Sequence, residues 1–132
     1  MPLTYRIDRQ ARIVVISGDY AEAEGWRTML SAVANDPAYR RGFNFLRDLR
    51  NAEHPVSAEA VVGIVTVVRK FWNVLGVARA AIVTRPGTVD YPAVVAQALA
   101  SDEHIALQAF PSYDEAVAWL QAAPSTGKRA RE

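Results

Sequence analysis

The chain contains no cysteine. That removes disulfides, thiolate nucleophiles and cysteine-based zinc sites together. Lysine is nearly absent, with two against thirteen arginines, so almost all positive charge sits on guanidinium groups. Histidine occurs only as His54 and His104, which leaves few groups that titrate near neutrality. A dominant charge sign is missing too. Fifteen basic and 14 acidic residues give a formal charge of +1, so no global field draws in nucleic acid. Long apolar runs are also lacking. The apolar middle is free of charge only from Ala60 to Val68, short of the roughly 18–20 apolar residues that span a bilayer. The opening Met1-Pro2-Leu3-Thr4-Tyr5-Arg6 lacks the basic-then-apolar layout of a secretion signal. These absences predict a cytoplasmic protein with no integral membrane segment. One domain is expected over residues 1–123, with 124–132 as a loose tail beyond Pro124.

What the chain does have is alternating strand and helix patterning. Leu3, Tyr5 and Ile7 alternate with Thr4, Arg6 and Asp8, a strand with one wet face. After Arg9-Gln10-Ala11 comes the continuous apolar run Ile13-Val14-Val15-Ile16, which suits a strand covered on both faces. So short a link makes the two an antiparallel hairpin. Asp19 and Glu22 have capping spacing for a first helix, with Trp26, Met29, Leu30 and Val33 at helical intervals. Asn35-Asp36-Pro37 closes it.

Phe43-Asn44-Phe45-Leu46 reads as a third strand ending at Arg47-Asp48. A helix is predicted from Ser57 to about Leu75, with Gly76 as the residue that terminates it. Ala80–Thr84 is a fourth strand, a third helix starts near Asp90, and Ile105–Phe110 is a fifth strand. Ser112 and Glu115 cap a last helix whose inward face is Ala116, Trp119 and Leu120. The expectation is an α/β fold in the order β-β-α-β-α-β-α-β-α. Its five-stranded sheet is mostly parallel, with one antiparallel hairpin strand and four helices.

Open parallel sheets gather chemistry beyond the carboxyl ends of their strands. Those ends supply Ser17-Gly18-Asp19, Asp48, and Thr84-Arg85. Asp48, Arg50, Thr84 and Arg85 form a candidate polar strand-end pocket, with caps and loop ion pairs as the plainer account. His54 beside Glu53 is the only imidazole near that edge. His104 precedes the fifth strand and falls at the opposite edge, so the two cannot share a site. No nucleophile–base pair results, and no catalytic residue is assigned. The chain is expected not to be an enzyme. Neither G-x-G-x-x-G nor G-x-x-x-x-G-K-[ST] occurs, so no nucleotide cofactor is implied. No metal site is assigned either. Asp19 alone cannot supply the acidic pair of a receiver domain.

The helix from Ser57 to Leu75 is unusual. Its polar positions, Glu59, Gly63, Thr66, Lys70 and Asn73, keep to one narrow stripe. The apolar arc is wider than a surface helix needs. Val61, Ile64, Val68, Phe71, Trp72 and Leu75 are therefore candidates for a self-association face or the wall of an apolar ligand cavity. Coverage by neighbouring helices is the alternative.

This pattern resembles the STAS fold of anti-sigma-factor antagonists, and more closely the SpoIIAA-like bacterial proteins, whose fold is shared with the SEC14 type. The resemblance rests on three features: the N-terminal hairpin, Phe45-Leu46-Arg47-Asp48-Leu49 before the apolar helix, and Ala109-Phe110 leading to Ala116-Val117-Ala118-Trp119-Leu120. It implies a non-enzymatic regulatory or protein-interaction module acting as a homodimer or on a protein partner. Binding of a lipid-like apolar molecule is the alternative. It also places Ser57 where regulatory members carry a phospho-acceptor serine. Here the usual preceding Asp and following Ser-Gly are replaced by Val56 and Ala58-Glu59, and Ser57 makes an ordinary helix cap regardless.

Overall fold

A computed structural model describes residues 3–18, 23–50, 58–77, 79–83 and 106–122. The strands are β1 (Thr4–Asp8), β2 (Ile13–Ser17), β3 (Asn44–Asp48), β4 (Arg79–Val83) and β5 (Ala106–Phe110). The helices are α1 (Ala23–Ala34), α2 (Ala58–Leu75) and α3 (Tyr113–Gln121). The five strands form one sheet in the order β1-β2-β3-β4-β5. β1 runs antiparallel to β2, with Thr4 opposite Ser17 and Asp8 opposite Ile13. The remaining pairings are parallel. This is the mixed, mostly parallel sheet expected of the sequence. The helix anticipated near Asp90 falls outside the described residues, among which there are three helices.

Each strand divides its side chains between two helical layers because successive residues point to opposite faces. Val14, Ile16, Phe45, Ala80 and Ile82 pack under α1 and α2, in one core with Trp26, Leu30, Trp72 and Leu75. Ile13, Val15, Leu46, Ala81 and Val83 face the other way and meet Ala116 and Leu120 of α3. The unbroken apolar run of β2 follows from this two-sided cover. β4 begins at Arg79, one residue earlier than the pattern implied, with Arg79 opposite Ala106 and Val83 opposite Phe110. Thr84 lies outside the described residues.

The helix ends follow local rules. Gly76 terminates α2 at φ +74°, a backbone region that glycine enters without steric cost. Its N–H donates to the Trp72 carbonyl at 2.8 Å, and the N–H of Val77 donates to the same oxygen at 3.2 Å. These are the bonds of a left-handed helix stop. At the start of α3 the Ser112 hydroxyl accepts the Glu115 N–H at 3.4 Å.

Candidate functional site

β2 and β3 end side by side, which brings Arg47 and Asp48 to the carboxyl edge of the sheet. Arg47 has the same parity as Phe45 and so turns toward the α1 layer. Its guanidinium carbon lies 5.6 Å from the centroid of the Trp26 ring, within cation–π range. Nη1 donates to the carbonyls of Ile16, Gly18 and Asp48 at 3.2–3.3 Å. A buried cation needs such partners, and Arg47 is 6 % exposed.

Asp48 has the opposite parity and faces the α3 layer. Its carboxylate accepts Arg50 Nε at 2.9 Å and Arg50 Nη2 at 2.8 Å, a two-pronged pair. It also accepts the backbone N–H of Arg50 at 3.1 Å. Burial pushes the Asp48 carboxyl up. The Arg50 guanidinium and N–H, helped by Arg47, outweigh that and hold it below the ordinary carboxylate range. The Arg50 guanidinium stacks 4.9 Å from the centroid of the Tyr113 ring. Tyr113 opens α3, and its hydroxyl accepts a 2.8 Å hydrogen bond from Arg6 of β1. The cluster thus joins β1, β3 and α3 above the sheet edge. A hollow of about 250 Å³ lies beside it, lined by Arg6, Asp8, Val15, Tyr113, Asp114 and Val117.

The structure joins Asp48 and Arg50, two members of the anticipated pocket. Thr84, Arg85, Ser57, His54 and His104 lie outside the described residues, as does the side chain of Val61. Sequence reasoning missed Arg6, Arg47 and Tyr113. For Arg47 a signal existed: strand parity points it toward a layer built on Trp26. Arg6 and Tyr113 are 107 residues apart, and no local pattern pairs them. Among the described residues no three His, Cys, Asp or Glu side chains cluster as a metal site. No helix there is long and apolar enough to cross a membrane.

The apolar arc of α2 needs correction. Ile64, Val68, Trp72 and Leu75 are 2–7 % exposed and lie in the core between α2, α1 and the sheet. Phe71 is partly buried against the same core. These side chains are already covered by the chain itself and do not form an open face. Among the described residues, the large apolar side chains that α2 leaves exposed are Val62 at 59 % and Val74 at 65 %, three turns apart. The wide arc exists because α2 packs on two neighbours, the sheet below and α1 beside it.

Comparison with protein-family models, with curated proteins and with solved structures finds no significant match.

Proposed function

We propose that the chain is a non-enzymatic, STAS-like interaction module that binds a protein partner at the carboxyl edge of its sheet. One observation carries the reading: among the described residues, Asp48, Arg50 and Arg47 at that edge are engaged within the chain. Asp48 is clamped by Arg50, and Arg47 is tied to three carbonyls. A carboxylate held below its ordinary range is a weak general base at neutral pH. The clamp instead presents Arg50 and Tyr113, stacked and immobilised, and aromatic and arginine side chains are the usual anchors of protein interfaces. The antiparallel first strand followed by sequential parallel strands supports the STAS-like part of the proposal. In that reading Ser57 is the phospho-acceptor that governs partner binding.

Burial of Ile64, Val68, Trp72 and Leu75 against α1 and the sheet favours the interaction module over an apolar carrier. Native mass spectrometry of the chain from its own host tests the proposal, alongside a panel of ester and phosphate substrates. The expected result is a protein complex that dissociates in Arg50→Ala/Tyr113→Ala, with no hydrolysis. A retained lipid-sized adduct in place of a complex favours the carrier. Hydrolysis abolished by His54→Ala refutes the non-enzymatic reading.

A further inference from the structure

The chain is close to neutral overall, yet four of its arginines converge at the amino edge of the sheet, opposite the cluster described above. Arg9 and Arg12 come from the β1–β2 turn, and Arg40 and Arg41 from the loop before β3. With Gly42 and Phe43 they line a groove of about 420 Å³. Among the described residues, no acidic side chain lines it. The nearest carboxylates in sequence have other partners. Asp8 accepts the Ala11 N–H at 2.9 Å, and Asp36 accepts the Tyr5 hydroxyl at 2.8 Å and the Ala38 N–H at 2.9 Å.

The groove is built rather than incidental. The turn and the loop are joined by the Asn44 N–H, which donates to the Arg12 carbonyl at 3.0 Å. Arg40 Nη1 donates to the carbonyls of Pro37 and Tyr39 at 2.8 and 3.1 Å. Arg41 Nη1 donates to the carbonyls of Asn73 and Val74 at the end of α2. Both guanidinium groups are therefore held in place by one nitrogen, with further N–H donors on the same planar fork. Arg9 and Arg12 make no side-chain hydrogen bond or ion pair among the described residues. Arg12 sits at φ +61°, where a residue with a side chain is uncommon and a glycine is the usual occupant. Gly42, at φ +99°, leaves open space where a side chain would stand. Like charges repel, so gathering four of them without a counter-charge is unfavourable unless an anion completes the site.

We propose that this groove binds a ligand carrying two or more phosphate groups or a doubly charged phosphomonoester. Guanidinium groups recognise phosphate oxygens in a two-pronged manner, and arginine rather than lysine suits that geometry. The phosphate is either free in solution or borne on a lipid headgroup, and the inference does not depend on the interaction-module reading.

Calorimetric titration of the full chain with sodium tripolyphosphate is the first arm of the test. The second is sedimentation with phosphatidylcholine vesicles that contain phosphatidic acid. Saturable binding to at least one probe is expected, weakening as salt is raised. Arg9→Ala/Arg12→Gly should lower affinity about tenfold or more while leaving the chain folded. Arg27→Ala/Lys70→Ala removes the same charge from the α1 and α2 surfaces and should leave binding unchanged. Co-sedimentation that tripolyphosphate competes away assigns the groove to a lipid headgroup, and binding of the free anion alone assigns it to a soluble ligand. No saturable binding to either probe overturns the proposal. So does affinity that survives Arg9→Ala/Arg12→Gly or falls equally in the control pair.

Discussion

Arg41 lies across Gly76. A Cβ built on Gly76 would stand 2.7 Å from Arg41 Cγ and 3.1 Å from Arg41 Nε. The absence of a side chain at Gly76 is what lets the Arg41 stem lie flat and reach the last carbonyls of α2. Those carbonyls lack partners within the helix, and a cation there also suits the negative end of the helix dipole. Gly76→Ala meets both the clash and the positive φ, so it should cost about 1–3 kcal/mol in denaturant unfolding. If the arginine groove binds anions as proposed, the same substitution also displaces one of its walls and should weaken that binding.

Tyr39 closes the same corner. Its hydroxyl donates to the Leu75 carbonyl at 2.6 Å, and burial pushes its pKa up to about 12. In the unfolded chain the group titrates near the ordinary value of about 10. The folded state therefore holds the proton more tightly. This contribution to stability is complete below pH about 10 and is lost as pH rises through about 12. Alkaline unfolding curves should show that slope. Tyr39→Phe should remove it and cost about 0.5–1.5 kcal/mol at neutral pH.

At the opposite edge the Asp48–Arg50 clamp responds to acid. The Asp48 carboxyl is depressed in the folded state, so its contribution is present above the unfolded value of about 4 and is lost as pH falls through the lower folded value. Asp48→Asn should flatten acid unfolding in that range. Asp48→Ala should cost about 1–3 kcal/mol, since it strips partners from Arg50 and alters a buried strand end. Unchanged acid stability in Asp48→Asn would show that the clamp carries no linkage.

Trp72 and Val74 separate core from surface on one helix. Trp72 is 7 % exposed and meets Phe45 edge-on at 6.5 Å between ring centroids. Trp72→Ala should cost about 3–5 kcal/mol and broaden or abolish the thermal transition. Val74→Lys, at a 65 % exposed position, should change stability by less than about 0.5 kcal/mol. A folded, stable Trp72→Ala protein that merely changes oligomeric state would restore the arc to an interface.

Arg12 offers a backbone test that is independent of any ligand. Its φ of +61° is costly for any residue with a side chain and worst for a β-branched one. Arg12→Gly should leave stability unchanged or raise it by up to about 1 kcal/mol. Arg12→Val should lower it by about 1–2 kcal/mol, measured as a shift in the urea midpoint.

The α/β class, the hairpin, the strand positions to within a residue and the capping of α3 by Ser112 were legible in the residues. Each rests on interactions between near neighbours. Alternation in Thr4–Asp8 reports one wet face, the unbroken apolar run of β2 reports two covered ones, and Gly76 marks a helix end because of its own backbone freedom. What lies across the fold was not legible. The arc of α2 has the same composition whether it meets a second chain, a ligand or α1, and only the packing of α1 beside it turned Ile64, Val68, Trp72 and Leu75 into core. Likewise Arg9 and Arg12 on one hand and Arg40 and Arg41 on the other are unremarkable apart. The parallel pairing of β2 with β3 sets their two loops side by side, and the sum of their charges exists only there. Periodicity is a property of a segment, whereas burial and electrostatic potential belong to the neighbours that the tertiary fold supplies.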